Sequence, residues 1–112
     1  MPRTSDRPQE DAMYGTVAIL KPKAGQEEAL VQALEKWWEE RRPKVKGAIA
    51  TTLHRNEGNP SEVIMTAVFD SKENYVANAE DPEQDKWYQE MRALLENDPR
   101  WMDGEVLGCK HV

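Results

Sequence analysis

Residues 47–69 read GAIATTLHRNEGNPSEVIMTAVF, two apolar stretches separated by a cluster of turn-forming residues. In Gly47–Arg55, Ile49, Thr51 and Leu53 alternate with Ala48, Ala50, Thr52 and His54, which is the period of a strand with two distinct faces. Glu62–Phe69 is a near-continuous apolar run whose β-branched and aromatic residues suit a sheet. The intervening NEGNPS is short and rich in turn residues, so the two strands are predicted to form an antiparallel hairpin.

On the N-terminal side lies YGTVAIL, Tyr14 to Leu20, with Val17 and Ile19 on one face and Tyr14, Thr16, Ala18 and Leu20 on the other. Few polar atoms lie on either face, as in a central strand covered on both sides. After KPKAG, a helix is predicted from Gln26 to Arg42. It has glutamates in its first turn, where the helix dipole favours negative charge, and an apolar stripe of Leu30, Ala33, Leu34, Trp37 and Trp38. Pro43 should end it. On the C-terminal side, Asp70 or Ser71 can cap a short helix through Ala79, with Glu73 or Asn74 three residues along. Asp81-Pro82-Glu83-Gln84 then has the form of a capping box, opening a helix whose stripe of Trp87, Tyr88, Met91, Leu94 and Leu95 runs toward Pro99. A last strand is expected within Trp101–Cys109, with Asp103-Gly104 as a turn or bulge in its first part. Strand, helix, strand, strand, helix, strand is the split βαβ, ferredoxin-like plan, an α+β fold with a four-stranded antiparallel sheet.

A chain of 112 residues, 38% hydrophobic and 32% charged, has room for one modest core and no second domain. Residues 1–12 are polar and are expected to form a flexible tail, leaving 13–112 as the single domain. A net charge of -6 repels a polyanion, which argues against nucleic-acid binding. Neither a signal-peptide core nor a membrane-length apolar run is present, and the single cysteine, Cys109, cannot form an intramolecular disulfide. A cytoplasmic location fits these features, and neither metal nor cofactor has a ligand set in the sequence.

From Tyr14 to Leu107 the chain resembles the antibiotic biosynthesis monooxygenase-like domains of the dimeric α+β barrel superfamily. The resemblance is carried by YGTVAILKPKAGQEEALVQALEKWWEERRPKVKGAIATTLHR, by EVIMTAVFDSKENYVANAEDPEQDKWYQEMRALL and by the closing WMDGEV. It implies a homodimer in which two sheets face one another through their open sides, and apolar residues on both faces of the hairpin strands are compatible with that arrangement. It also implies that members include oxygenases that use no metal or flavin and oxidise an electron-rich aromatic substrate directly with dioxygen. Haem-degrading members use a helix histidine and an asparagine on the first strand, and neither is present in DKWYQEMRALL or YGTVAIL.

Trp37, Trp38, Tyr75, Asn78, Trp87 and Tyr88 are the candidate ligand-pocket residues, because aromatic walls with a few polar tips suit a flat organic ligand. Aromatics at helical spacing also serve simply as core. His54, Tyr88 and Arg92 are the candidates for proton transfer or hydrogen bonding to a substrate oxygen; their ordinary alternatives are a strand-end histidine, a core-edge tyrosine and a solvated charge. Asp103 and Glu105 would share a strand face, with a turn and an exposed edge as the plainer reading. EKWWEERRPK reads as a solvated helix face. Two functions compete: a cofactor-independent monooxygenase acting on a small aromatic or polycyclic compound, and a non-catalytic small-ligand-binding or stress-associated dimeric barrel.

Overall fold

The computed structural model of the chain describes residues 12–109; the tail expected over the first twelve residues falls almost wholly outside that range, as does His111. The order is β1 (Tyr14–Leu20), α1 (Glu27–Lys36), β2 (Ala48–Arg55), β3 (Val63–Phe69), α2 (Lys72–Ala79), α3 (Pro82–Arg92) and β4 (Arg100–Glu105). The strands form one antiparallel sheet in the order β2-β3-β1-β4, so the hairpin lies at one edge and the last strand at the other. This is the split βαβ plan.

The core lies on one face of the sheet. Ala18 and Leu20 of β1 and Val63 and Met65 of β3 pack against Leu30 of α1, Trp37, and Trp87 and Met91 of α3. The opposite face carries Val17, Ile19, Ile64, Thr66 and Met102 and is not covered by the described helices. Coverage of β1 on both sides is therefore not provided within one chain: Val17 is 40% exposed. In β1, Gly15 lies so close to the backbone of Ala67 that a Cβ there would collide with the carbonyl oxygen. Gly47, at φ +86 in the left-handed region, makes the corner into β2 and accepts a hydrogen bond from Asp70 N at 2.8 Å.

Four expectations need correction. The first helix does not run regularly to Arg42: α1 ends at Lys36, a π-helical turn occupies Trp37–Arg41, and Pro43 sits inside a 3₁₀ turn, Arg42–Lys44. A bulge between Ala48 and Ala50 breaks the alternation of β2, so that Ala48 packs with Leu53 toward the core. The third helix stops at Arg92 rather than running to Pro99, because the chain turns to bridge the first loop: Leu95 pairs with Pro22, and Lys23 N donates to Leu94 O at 2.8 Å. Asp103-Gly104 is not a turn or bulge but regular strand, paired in β4 with Thr16 and Gly15. Glycine is tolerated there because an edge strand needs no side chain at that position to pack.

Candidate functional site

Between the helices and the sheet lies a cavity of about 350 Å³, within the size range that holds small organic ligands. Its floor is buried, formed by Thr16, Met65 and Phe69 on the sheet and by Trp37 and Trp87 on the helical side. Asp85, Trp101 and Asp103 are exposed and form part of its rim. All six expected pocket residues, Trp37, Trp38, Tyr75, Asn78, Trp87 and Tyr88, line this one space.

The rings are held by packing and by their polar tips together. Trp87 donates from Nε1 to Ala33 O at 2.8 Å and meets Trp37 edge-on, with ring centroids 6.4 Å apart. Trp37 in turn donates from Nε1 to Gln84 Oε1 at 2.7 Å. Tyr88 tilts against Trp101 at 6.2 Å, and Tyr75 stacks its edge on Phe69 at 5.5 Å. These pairs reach from α1 and its π turn across α3 and α2 to β3 and β4. The cavity is thus bounded by nearly every element of the fold.

The Tyr75 hydroxyl donates to Asp103 Oδ1 at 3.1 Å. Burial, followed by the negative charge of Asp103, pushes the phenol from 10.0 up to about 12; the neighbouring Thr16 hydroxyl works the other way. Tyr75 is therefore a proton donor, not a base, at neutral pH. Beneath it Thr16 Oγ1 is buried and has no hydrogen-bond partner of proper geometry. Because the folded state favours neutral Tyr75, its contribution to stability is complete below pH 10.0 and is lost as pH rises toward about 12. Ultraviolet difference titration should show one phenolate band rising late in the wild type and missing in Tyr75→Phe. A band complete by pH 11 would contradict the burial seen here. Burial also raises Tyr88, assisted by the charge of Asp98.

Arg41, at the end of the π turn, is the principal polar anchor that the sequence reading missed. Its side chain is only 14% exposed. It donates from Nη2 to Asn78 Oδ1 at 3.0 Å and from Nε to Gln84 Oε1 at 3.3 Å, and lies 3.5 Å from Asp81 Oδ2. Gln84 consequently does not close the expected capping box: its side chain is taken by Trp37 and Arg41. Asp81 alone caps α3, accepting from Glu83 N at 2.9 Å. On ordinary α-helical spacing Glu-Glu-Arg-Arg reads as a solvated face; the wider π turn changes which residues face inward.

The remaining candidates stand apart. His54 is exposed on the open sheet face, where its Nε2 lies 3.1 Å from Thr52 Oγ1, so the sheet separates it from the cavity. Arg92 is bound to Asp98 Oδ1 at 2.7 Å and to Leu95 O at 3.2 Å and does not line the cavity. The cavity's own carboxylates are Asp85 and Asp103, and of the two Asp103 holds the Tyr75 hydroxyl. Among the described residues no three His, Cys, Asp or Glu side chains come together as a metal site, and no helix is long and apolar enough to cross a membrane.

A family model described as antibiotic biosynthesis monooxygenase matches residues 13–90. Similar solved structures include a protein of Caulobacter crescentus provisionally assigned as such a monooxygenase, 11% identical, with a TM-score of 0.75 over 95% of this chain and 100% of that one. Another with the same provisional assignment, from Chloroflexus aurantiacus, is 20% identical, with a TM-score of 0.68 over 89% of this chain and 98% of that one. A conserved protein of Methanosarcina mazei is 14% identical, with a TM-score of 0.72 over 86% and 94%. No curated protein matches the chain. The structural likenesses carry the fold, and the family match spans β1 through most of α3. The chain belongs to the antibiotic biosynthesis monooxygenase family.

Proposed function

We propose that the cavity binds a flat, electron-rich aromatic compound and that the protein oxygenates it with dioxygen, without a cofactor. The observation that carries this reading is the combination of aromatic walls with one oriented carboxylate, Asp103, held by the neutral Tyr75 hydroxyl at 3.1 Å. Asp103 is the base. It accepts a proton from an acidic C–H of the ligand, so the charge in the cavity is unchanged while the ligand becomes electron-rich enough to reduce dioxygen. One oxygen atom ends on that carbon as a carbonyl, and the other leaves as water with the two hydrogens removed from the carbon. The walls orient the ring system and exclude bulk water, and neighbouring donors stabilise the developing oxyanion.

The test uses a hydroxyanthrone, whose activated methylene can be converted to a quinone carbonyl. One dioxygen should be consumed per quinone formed, in chelator-treated protein with nothing added, at a rate well above the uncatalysed one. Binding without acceleration would leave a ligand-binding protein and remove the oxygenase reading.

The second part of the proposal is a homodimer through the open sheet face. Val17 and Met102 there are 40% and 44% exposed, and Ile19, Ile64 and Val68 are half-buried. An uncovered apolar face on a four-stranded sheet is best covered by its own copy, since a two-fold axis pairs the patch with itself. Sedimentation equilibrium at micromolar concentration should give a dimer, and Val17→Asp should give a monomer that keeps the helix-side core. A monomeric wild type would remove this part.

A further inference from the structure

We infer that Arg41 is a positioning residue that presents two amide donors to the cavity, and that the ligand therefore carries a carbonyl or phenolate oxygen at the α2–α3 side of the site. The inference rests on the ligand-binding reading above and names the chemistry of one end of the ligand. A guanidinium has five N–H donors and no acceptor, and an indole N–H only donates. The amide atom of Asn78 that meets Arg41, and the atom of Gln84 that meets both Arg41 and Trp37, must therefore be oxygen. This settles both amide orientations by chemistry, where such groups are otherwise ambiguous.

The consequence lies on the other side of each amide. Asn78 and Gln84 both line the cavity, and among the described residues neither Asn78 Nδ2 nor Gln84 Nε2 donates to a protein acceptor. Neither nitrogen is sealed off as a buried unpaired atom, so each remains accessible to a partner. The two NH₂ groups belong to the helical wall, while the carboxylate of Asp103 belongs to the sheet wall. Arg41 itself does not line the cavity, and Asp81 lies opposite its charge. It therefore acts through the amides and not on a ligand directly. Donors fixed before the ligand arrives need no reorganisation when charge grows on its oxygen, which is the requirement for stabilising an enolate formed when the ligand gives a proton to Asp103.

The test compares 1-indanone with indane, two flat bicycles that differ at the carbonyl, by quenching of tryptophan fluorescence. Wild type should bind the ketone about tenfold more tightly, the size expected of one or two net hydrogen bonds. An isotope-labelled carbonyl of bound indanone should show its infrared band displaced to lower frequency. Asn78→Asp and Gln84→Glu keep an oxygen for Arg41 but replace the free donor with an oxygen. In each the ketone preference, read as the ratio of the two affinities in the same variant, should fall toward unity and the infrared displacement shrink, with thermal stability kept. Arg41→Met should lose the preference in the same way; if it fails to fold, the two acid variants carry the test. Equal binding of indanone and indane by wild type, or a preference that survives both acid variants, overturns the inference while the cavity reading stands. Binding of neither compound overturns both.

Discussion

Trp87→Ala is expected to destabilise the folded chain by roughly 3 to 5 kcal/mol, the range for truncating a large aromatic in a packed core. The residue is 9% exposed and sits where α3 meets α1, the π turn and the sheet. Truncation removes the ring, leaves a void beside Trp37 and strips the Ala33 carbonyl of the indole N–H that it accepts at 2.8 Å. The neighbours cannot close the gap cheaply, because Trp37 is tied to Gln84 and Met91 is already 1% exposed. Urea denaturation should show the midpoint falling sharply with the slope unchanged. Trp38→Ala is the control: Trp38 is only half-buried, with Arg42 over its ring at 5.1 Å, and should cost much less. A loss below about 1 kcal/mol in Trp87→Ala, an ordinary surface-scale effect, would mean that α3 does not seat on the core through this ring.

Asp103→Asn is expected to reduce oxygenation of a hydroxyanthrone by about 10²- to 10⁴-fold, the usual worth of a positioned general base. The variant is close to isosteric, and its side-chain oxygen can still accept from Tyr75. Binding should persist while turnover collapses. Tyr75→Phe should lose less, because it removes the group that orients the carboxylate and not the carboxylate itself. The Tyr75 ring would still pack on Phe69 and Tyr14. Turnover in Asp103→Asn within threefold of wild type would assign proton removal elsewhere and leave Asp103 as an anchor for Tyr75.

The hairpin at 47–69, the helix stripes and the capping Asp81 were legible because each depends on a local period or a local bond. The aromatic set was legible for the same reason: Trp37, Trp87 and Tyr88 recur on helix faces that must turn inward. Asp103 was legible as to face but not as to role, because a Gly-neighbour in an edge strand looks like a turn until the strand that pairs with it is known. Arg41 was illegible. Its inward placement depends on the π turn and on Asn78, Asp81 and Gln84, about 40 residues further along, and no local pattern in Glu-Glu-Arg-Arg reports either. His54 and Arg92 drew notice by residue type alone, and topology placed them away from the cavity.

The π turn also bears on how this chain can change over evolutionary time. A π turn carries one residue more than the α-helical turn it interrupts, so the same residues Trp37–Arg41 wound as regular α-helix, with none removed, would overshoot by one residue. Every later side chain would then rotate by about 100°, since an α-helix has 3.6 residues per turn. Arg41 would swing away from Asn78 and Gln84 even though no contacting residue had been altered. Substitutions that favour regular helix in this segment would therefore reach the cavity without touching it. A relative whose segment winds as regular α-helix at the same length should have a cavity whose amides are free to turn over, and with it a different choice of ligand.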